Sequence, residues 1–252
     1  AFNGVGWIMG PLIGTALILD GTGDDSDIAK PYIIVTIVVL IMVLVLSFLN
    51  IPEEEMEKDQ QESAAVPQGK TVSLWKNKVF VSALIAQFLY VGAQIGVGTF
   101  FINYATEAEP TLSLRTAGLM LSFGCMGMFF VGRLLSSFFM RWIRPANLLT
   151  TFGFLGSLCM VLVLLCIGRL SFLALFMSYF FMAPMFPTIF ALGIKGMGAQ
   201  TKKASSLLVM CVVGGAVFPI CMGAIGQANM ALGFILPLIS FVYITLFGIK
   251  CR

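Results

Sequence analysis

Gln87, Tyr90, Gln94, Gly98 and Phe101 recur every three or four residues inside the apolar stretch Ala86–Tyr104. At about 100° per residue they fall on one helical face. Amides on such a stripe both donate to and accept from hydroxyls, aromatic rings stack on the apolar face of a pyranose, and glycine leaves room between them. This is chemistry suited to holding a sugar. The same amides could instead join helices inside a membrane bundle, and the spacing leaves both readings open.

Other candidate groups lie along the chain. Asn3 sits close to the face carrying Gly6, Gly10 and Gly14, a small-residue spacing expected to serve close helix packing. Arg133 is the one basic residue deep in an apolar run, eight residues before Arg141, or about 12 Å along a helix. Snorkelling covers part of that distance, so Arg133 is expected to face a cavity or cap helix ends near a cytoplasmic gate. Pro184 and Pro187 interrupt one later run, and Gly214, Gly215 and Pro219 the next. Broken helices near the midplane are where transporters build substrate sites, although channels and receptors also use kinks.

Composition fixes the class. Of 252 residues 59% are hydrophobic and 11% charged, with a mean hydropathy of +0.98, against about 25% charge in soluble domains. The chain reads as an all-α integral membrane protein, with the lipid bilayer as its solvent. A net charge of +3 spread over short loops argues against nucleic acid. No histidine is present, and none of the six cysteines has metal-site or disulfide spacing, so no metal and no cofactor is expected. Cys125, Cys159, Cys166, Cys211 and Cys221 lie in apolar runs and read as small buried hydrophobes.

A spanning helix needs about 20 mainly apolar residues. Eight spans are predicted: Phe2–Leu19, Tyr32–Ile51, Val79–Tyr104, Ala117–Met140, Leu148–Ile167, Phe172–Ile194, Ser205–Gly226 and Met230–Ile249. The second, rich in Ile, Val and Leu, is expected to be the most lipid-exposed. The mixed-charge stretch 52–78 reads as a solvated linker. It separates residues 1–51, two spans, from residues 79–252, six spans, which suggests two six-helix halves with four spans preceding Ala1.

Loop charge gives an orientation. Lys30, Arg115 and Arg169 lie on one side, whereas eleven basic residues, from Lys58 to Arg252, lie on the other. The positive-inside rule then places the linker and the C-terminus in the cytoplasm. All twelve carboxylates, Glu107 and Glu109 among them, fall in loops or the linker. No acid or histidine is therefore expected at depth to relay protons.

Several runs resemble the fucose–galactose–glucose:proton symporters of the major facilitator superfamily. They include Leu89-Tyr-Val-Gly-Ala-Gln94, Phe101-Ile-Asn-Tyr104, Val131-Gly-Arg133 and Pro187-Thr-Ile-Phe-Ala-Leu-Gly-Ile-Lys195, with Ala1-Phe-Asn3 at the start. The resemblance extends over essentially the whole chain. It implies a major-facilitator-type bundle in a bacterial inner membrane, these eight helices being equivalent to spans five to twelve. It further implies alternating access around a central cavity, with Asn3 facing the sugar from the fifth span and Gln94 from the seventh. Where the family's L-fucose permease has a tryptophan and a tyrosine, this chain has Gly98 and Phe186, so the pocket differs and the hexose stays open. The family's proton-coupling acids lie on spans one and four, outside this chain.

The sequence thus points to a secondary sugar transporter with a monosaccharide substrate and a proton as coupling ion. The alternatives are a non-transporting membrane scaffold or sensor, or an inert truncated product. A membrane enzyme is not expected, because no span holds a nucleophile beside an activating base.

Overall fold

Backbone polar groups in a bilayer must find partners within the protein, and a helix satisfies them within one segment. The computed structural model describes residues 2–18, 25–48, 74–227 and 229–252, and among these it holds helices and turns but no strand. Eight helices follow in order: α1 (Phe2–Ile18), α2 (Asp25–Phe48), α3 (Lys78–Ala108), α4 (Leu114–Phe139), α5 (Pro145–Leu164), α6 (Gly168–Ile194), α7 (Thr201–Ile225) and α8 (Met230–Lys250). The last six are long and apolar enough to cross a membrane, α1 has 17 residues, and α2 holds the shorter apolar stretch Tyr32–Val45. The predicted linker falls outside the described residues up to position 73.

Local chemistry sets the ends more than hydropathy does. Asn77 caps α3, its Oδ1 accepting from the N–H groups of Val79 and Phe80 at 2.9 and 3.2 Å, which satisfies donors the first turn leaves free. Pro145 begins α5, where its missing N–H matters least. The α5–α6 turn needs left-handed backbone at Cys166 (φ 49°) and Gly168 (φ 46°). Cys166 therefore lies in an exposed turn, not in a span, because α5 stops at Leu164. Cys221 is also exposed, whereas Cys125 and Cys159 are buried as expected.

Two loop assignments change as well. Helix α2 begins at Asp25, so Asp25, Asp27 and Lys30 belong to its first turns. Glu107 lies in the last turn of α3, where its carboxylate accepts the N–H of Met230 at 3.2 Å. An anion at the start of α8 meets the positive end of that helix, so the carboxylate ties two helix ends together.

Helix α3 is central: it packs against α6, α7 and α8, while α5 lies between α6 and α8, and α4 lies against α6. Close approach depends on missing side chains. A Cβ on Gly132 of α4 would stand 2.5 Å from the carbonyl oxygen of Phe180 on α6, and one on Gly214 of α7 would collide with the carbonyl of Phe88 on α3. Helix α1 rests on a π-helical stretch of α4, Met120–Met126, with Thr15 against Gly118. Helix α2 touches α1, and its residues from Tyr32 to Val45 are exposed among the described residues.

Candidate functional site

The polar stripe of α3 faces inward. Gln87, Tyr90, Gln94 and Phe101 are buried, and Gly98 is half-buried. Opposite them, α6 breaks at Ala183 and Pro184 between two helical pieces, Gly168–Met182 and Met185–Ile194. The break removes regular partners from nearby backbone groups, and a tyrosine supplies one: Tyr90 Oη donates to the Met182 carbonyl at 3.1 Å. Tyr104 does the same at the end of α5, donating to the Val163 carbonyl at 3.0 Å. The Val163 carbonyl also accepts the backbone N–H of Cys166 at 3.2 Å, so Tyr104 adds a second donor there, whereas Tyr90 ties α3 to the break in α6.

Two cavities of about 530 Å³ each adjoin this stripe. The first lies between α1, α3 and α4, against Gly6, Gly10, Gln94, Gly98, Leu121 and Met126. The second lies between α3, α4, α6 and α7, against Tyr90, Gln94, Phe129, Arg133, Phe186 and Gly215. Each is within the size of small-molecule pockets. Gln94 lines both. Helices α3 and α4 run in opposite directions, and the second cavity uses the earlier turns of α3 with the later turns of α4. The two spaces therefore follow one another along the bundle, with Gln94 at their junction.

The predicted residues separate into distinct roles. Gln94 is 7% exposed, and its side-chain amide has no hydrogen bond among the described residues. Arg133 turns into the second cavity, its guanidinium carbon 5.4 Å from the centre of the Phe129 ring, a cation–π distance. Phe186 stands edge-on to Tyr90 at 6.1 Å and stacks on Phe190 at 6.5 Å. Pro184 is buried at the break and Pro187 is exposed in the helical piece that follows; neither lines the cavities, but Phe186, just after the break, lines the second.

Gln87 is fully buried, off both cavities, and both polar atoms of its amide lack a partner among the described residues. The side chain of Asn3 lies outside the described residues. The glycines of α1 depart from the packing expectation. Among the described residues nothing lies within 4 Å of the Cβ position of Gly6, Gly10 or Gly14, and the first two border a cavity instead. Their small size opens space where it was expected to close it.

Sequence reasoning missed Tyr179 and Phe129. Tyr179 on α6 donates to the Gln94 carbonyl at 3.4 Å, and its hydroxyl oxygen lies 2.9 Å from where a Cβ of Gly98 would be. Only a glycine at 98 leaves that hydroxyl in place. A lone tyrosine inside an apolar run was the available signal for Tyr179. Phe129 lies four residues before Arg133, a spacing that puts the two on one helix face.

Comparison with known proteins agrees with this geometry. The pattern of the Major Facilitator Superfamily matches residues 1–219. A glucose/galactose transporter of Brucella abortus (biovar 1, strain 9-941) is 29% identical over 257 residues, covering 99% of this chain and 61% of that protein. The L-fucose-proton symporter of Escherichia coli (strain K12) is 27% identical over 275 residues, covering 98% of this chain and 61% of its own length. The crystal structure of the transporter FucP in the outward conformation superposes with a TM-score of 0.70 at 26% identity, over 90% of this chain and 55% of that one. The chain thus spans about three-fifths of the length of the curated relatives it matches. On the match over most of its length, the chain belongs to the Major Facilitator Superfamily, beside the fucose, galactose and glucose permeases that its motifs resemble.

Proposed function

We propose that the protein carrying this chain is a secondary transporter that moves a hexose or related monosaccharide by alternating access, coupled to protons. One observation carries the reading: the amide of Gln94, without a hydrogen bond among the described residues, stands where two successive cavities meet. An amide offers two donors and an acceptor, enough to engage neighbouring hydroxyls of a sugar reached from either space. Tyr90, Phe129 and Phe186 supply apolar faces beside it, and Arg133 supplies charged donors. Gly98 widens the first cavity, which suits hexoses other than fucose and larger N-acetylhexosamines. Asn3 would add a second amide from α1.

In this reading α1 and α2 are the last helices of one six-helix half, residues 52–78 are a cytoplasmic linker, and residues 79–252 form the other half. Pro184 and Pro187 would let α6 flex as the cavities exchange access, with Arg133 near the cytoplasmic gate. The proton-binding groups would lie on helices outside this chain, since the carboxylates among the described residues, Asp25, Asp27, Glu107 and Glu109, all lie at helix ends.

Uptake by cells making the full-length gene product, challenged with a panel of competing hexoses, tests the activity. Saturable uptake inhibited by at least one hexose is expected, and protein present in the membrane without sugar-dependent uptake would overturn the proposal. Residues 1–252 alone, reconstituted in liposomes with an imposed pH gradient, should not concentrate sugar. Concentrative uptake that collapses with a protonophore would place the coupling group inside this chain. For orientation, cysteines placed in 52–78 should react with impermeant thiol reagents only after cells are opened; labelling of intact cells would reverse the topology.

A further inference from the structure

A third cavity, of about 460 Å³, opens at the ends of α3, α4 and α6, away from the residues assigned to the sugar. Its wall on α6 is Arg169, Phe172, Leu173 and Phe176, a spacing that sets all four on one helix face. Glu109, directly after α3, stands across from them. Arg169 is the second residue of α6, so Leu173 lies about 6 Å and Phe176 about 10 Å deeper along that helix. The cavity is thus charged at its mouth and apolar along its depth. Leu173 is 52% exposed, which opens the apolar part sideways toward the bilayer.

The charges at the mouth have opposite sign and are not paired with each other. Glu109 accepts a hydrogen bond from Thr111 Oγ1 at 3.0 Å, and neither it nor Arg169 has an ion pair among the described residues. An arginine fork fits a phosphate, and a carboxylate accepts from an ammonium group. A molecule carrying both head charges above an acyl chain matches charge, order and depth together. A hexose fits less well, because it would leave the apolar depth unfilled.

We infer that this cavity binds one zwitterionic aminophospholipid, its phosphate on Arg169, its ammonium on Glu109, and the upper part of an acyl chain along Phe172, Leu173 and Phe176. The inference rests on the chain's place in the membrane and is independent of what the central cavities carry. A quaternary ammonium has no N–H to give Glu109, and phosphatidylglycerol, whose headgroup ends in a neutral glycerol, has no cation to set against that carboxylate. The site therefore discriminates among headgroups of equal chain length.

Native mass spectrometry of the full-length protein, released from bilayers with equal parts phosphatidylethanolamine, phosphatidylcholine and phosphatidylglycerol, tests this directly. One phosphatidylethanolamine should be retained per protein in preference to the other two. The double variant Arg169→Gln, Glu109→Gln, altered only at exposed positions, should lose that preference by about tenfold, the scale of charge-assisted hydrogen bonds. Equal retention of all three lipids by the unaltered protein would overturn the inference without any variant. Preference for phosphatidylglycerol would show an anion site instead and also overturn it, as would a preference for phosphatidylethanolamine that survives the double variant.

Discussion

Helices α2 and α3 are both apolar enough to live in a bilayer, yet they occupy opposite environments. From Tyr32 to Val45 the large apolar side chains of α2 that are described are all 44–69% exposed, and the sequence is almost purely Ile, Val and Leu. Helix α3 buries fourteen residues, and these include two glutamines, two tyrosines and two glycines. In water, burial tracks hydrophobicity. In a membrane the surroundings are as apolar as leucine, so no such drive sorts the helices. Small residues sort them by letting backbones approach, and polar residues by demanding partners. The more polar helix is therefore the one in the middle.

This contrast is broken most easily at a backbone contact. Gly132→Val pushes a side chain against the Phe180 carbonyl, which cannot move without moving α6. Overpacking typically costs about 1–3 kcal/mol, and a backbone obstacle argues for the upper end. Val38→Leu on the exposed α2 should leave stability unchanged. Thermal unfolding of both purified variants compares them directly, and equal midpoints would erase the distinction between the two helices.

Gln87 sharpens the comparison from the other side. An unpaired buried amide destabilises by about 1–3 kcal/mol, so Gln87→Met, of similar volume, should raise the unfolding midpoint. A lowered midpoint would mean that a bound water or an alternative arrangement satisfies the amide. Gln94→Ala should behave differently. It removes a hydrogen bond worth about 0.5–1.5 kcal/mol to a neutral partner, which weakens sugar binding about threefold or more with abundance unchanged. Unaltered affinity would return Gln94 to helix packing. The smallest effect is expected at Glu107, whose carboxylate meets the start of α8. Glu107→Gln should cost about 0.3–1 kcal/mol, and less as salt is raised. A loss that ignores salt would point to hydrogen bonding rather than charge.

The apolar runs, the inward face of α3 and the likeness to sugar permeases were all legible from the chain alone. Run length against bilayer thickness fixes the helices, and a 3.6-residue period fixes which residues share a side. The depth of Arg133 already pointed to a cavity or to helix ends, but not to the Phe129 ring beside it. Pairings between helices were beyond reach, because periodicity names a face but not what stands across from it. Gly6 and Gly10 look like packing residues in sequence, and only the distance to α3 and α4 turns them into a cavity wall. Gln87 and Gln94 are equivalent in spacing and chemistry, yet one is sealed without a partner among the described residues and the other stands where two cavities meet. That difference rests on where α6 breaks and where α1 lies, and contacts between segments far apart in the chain decide both.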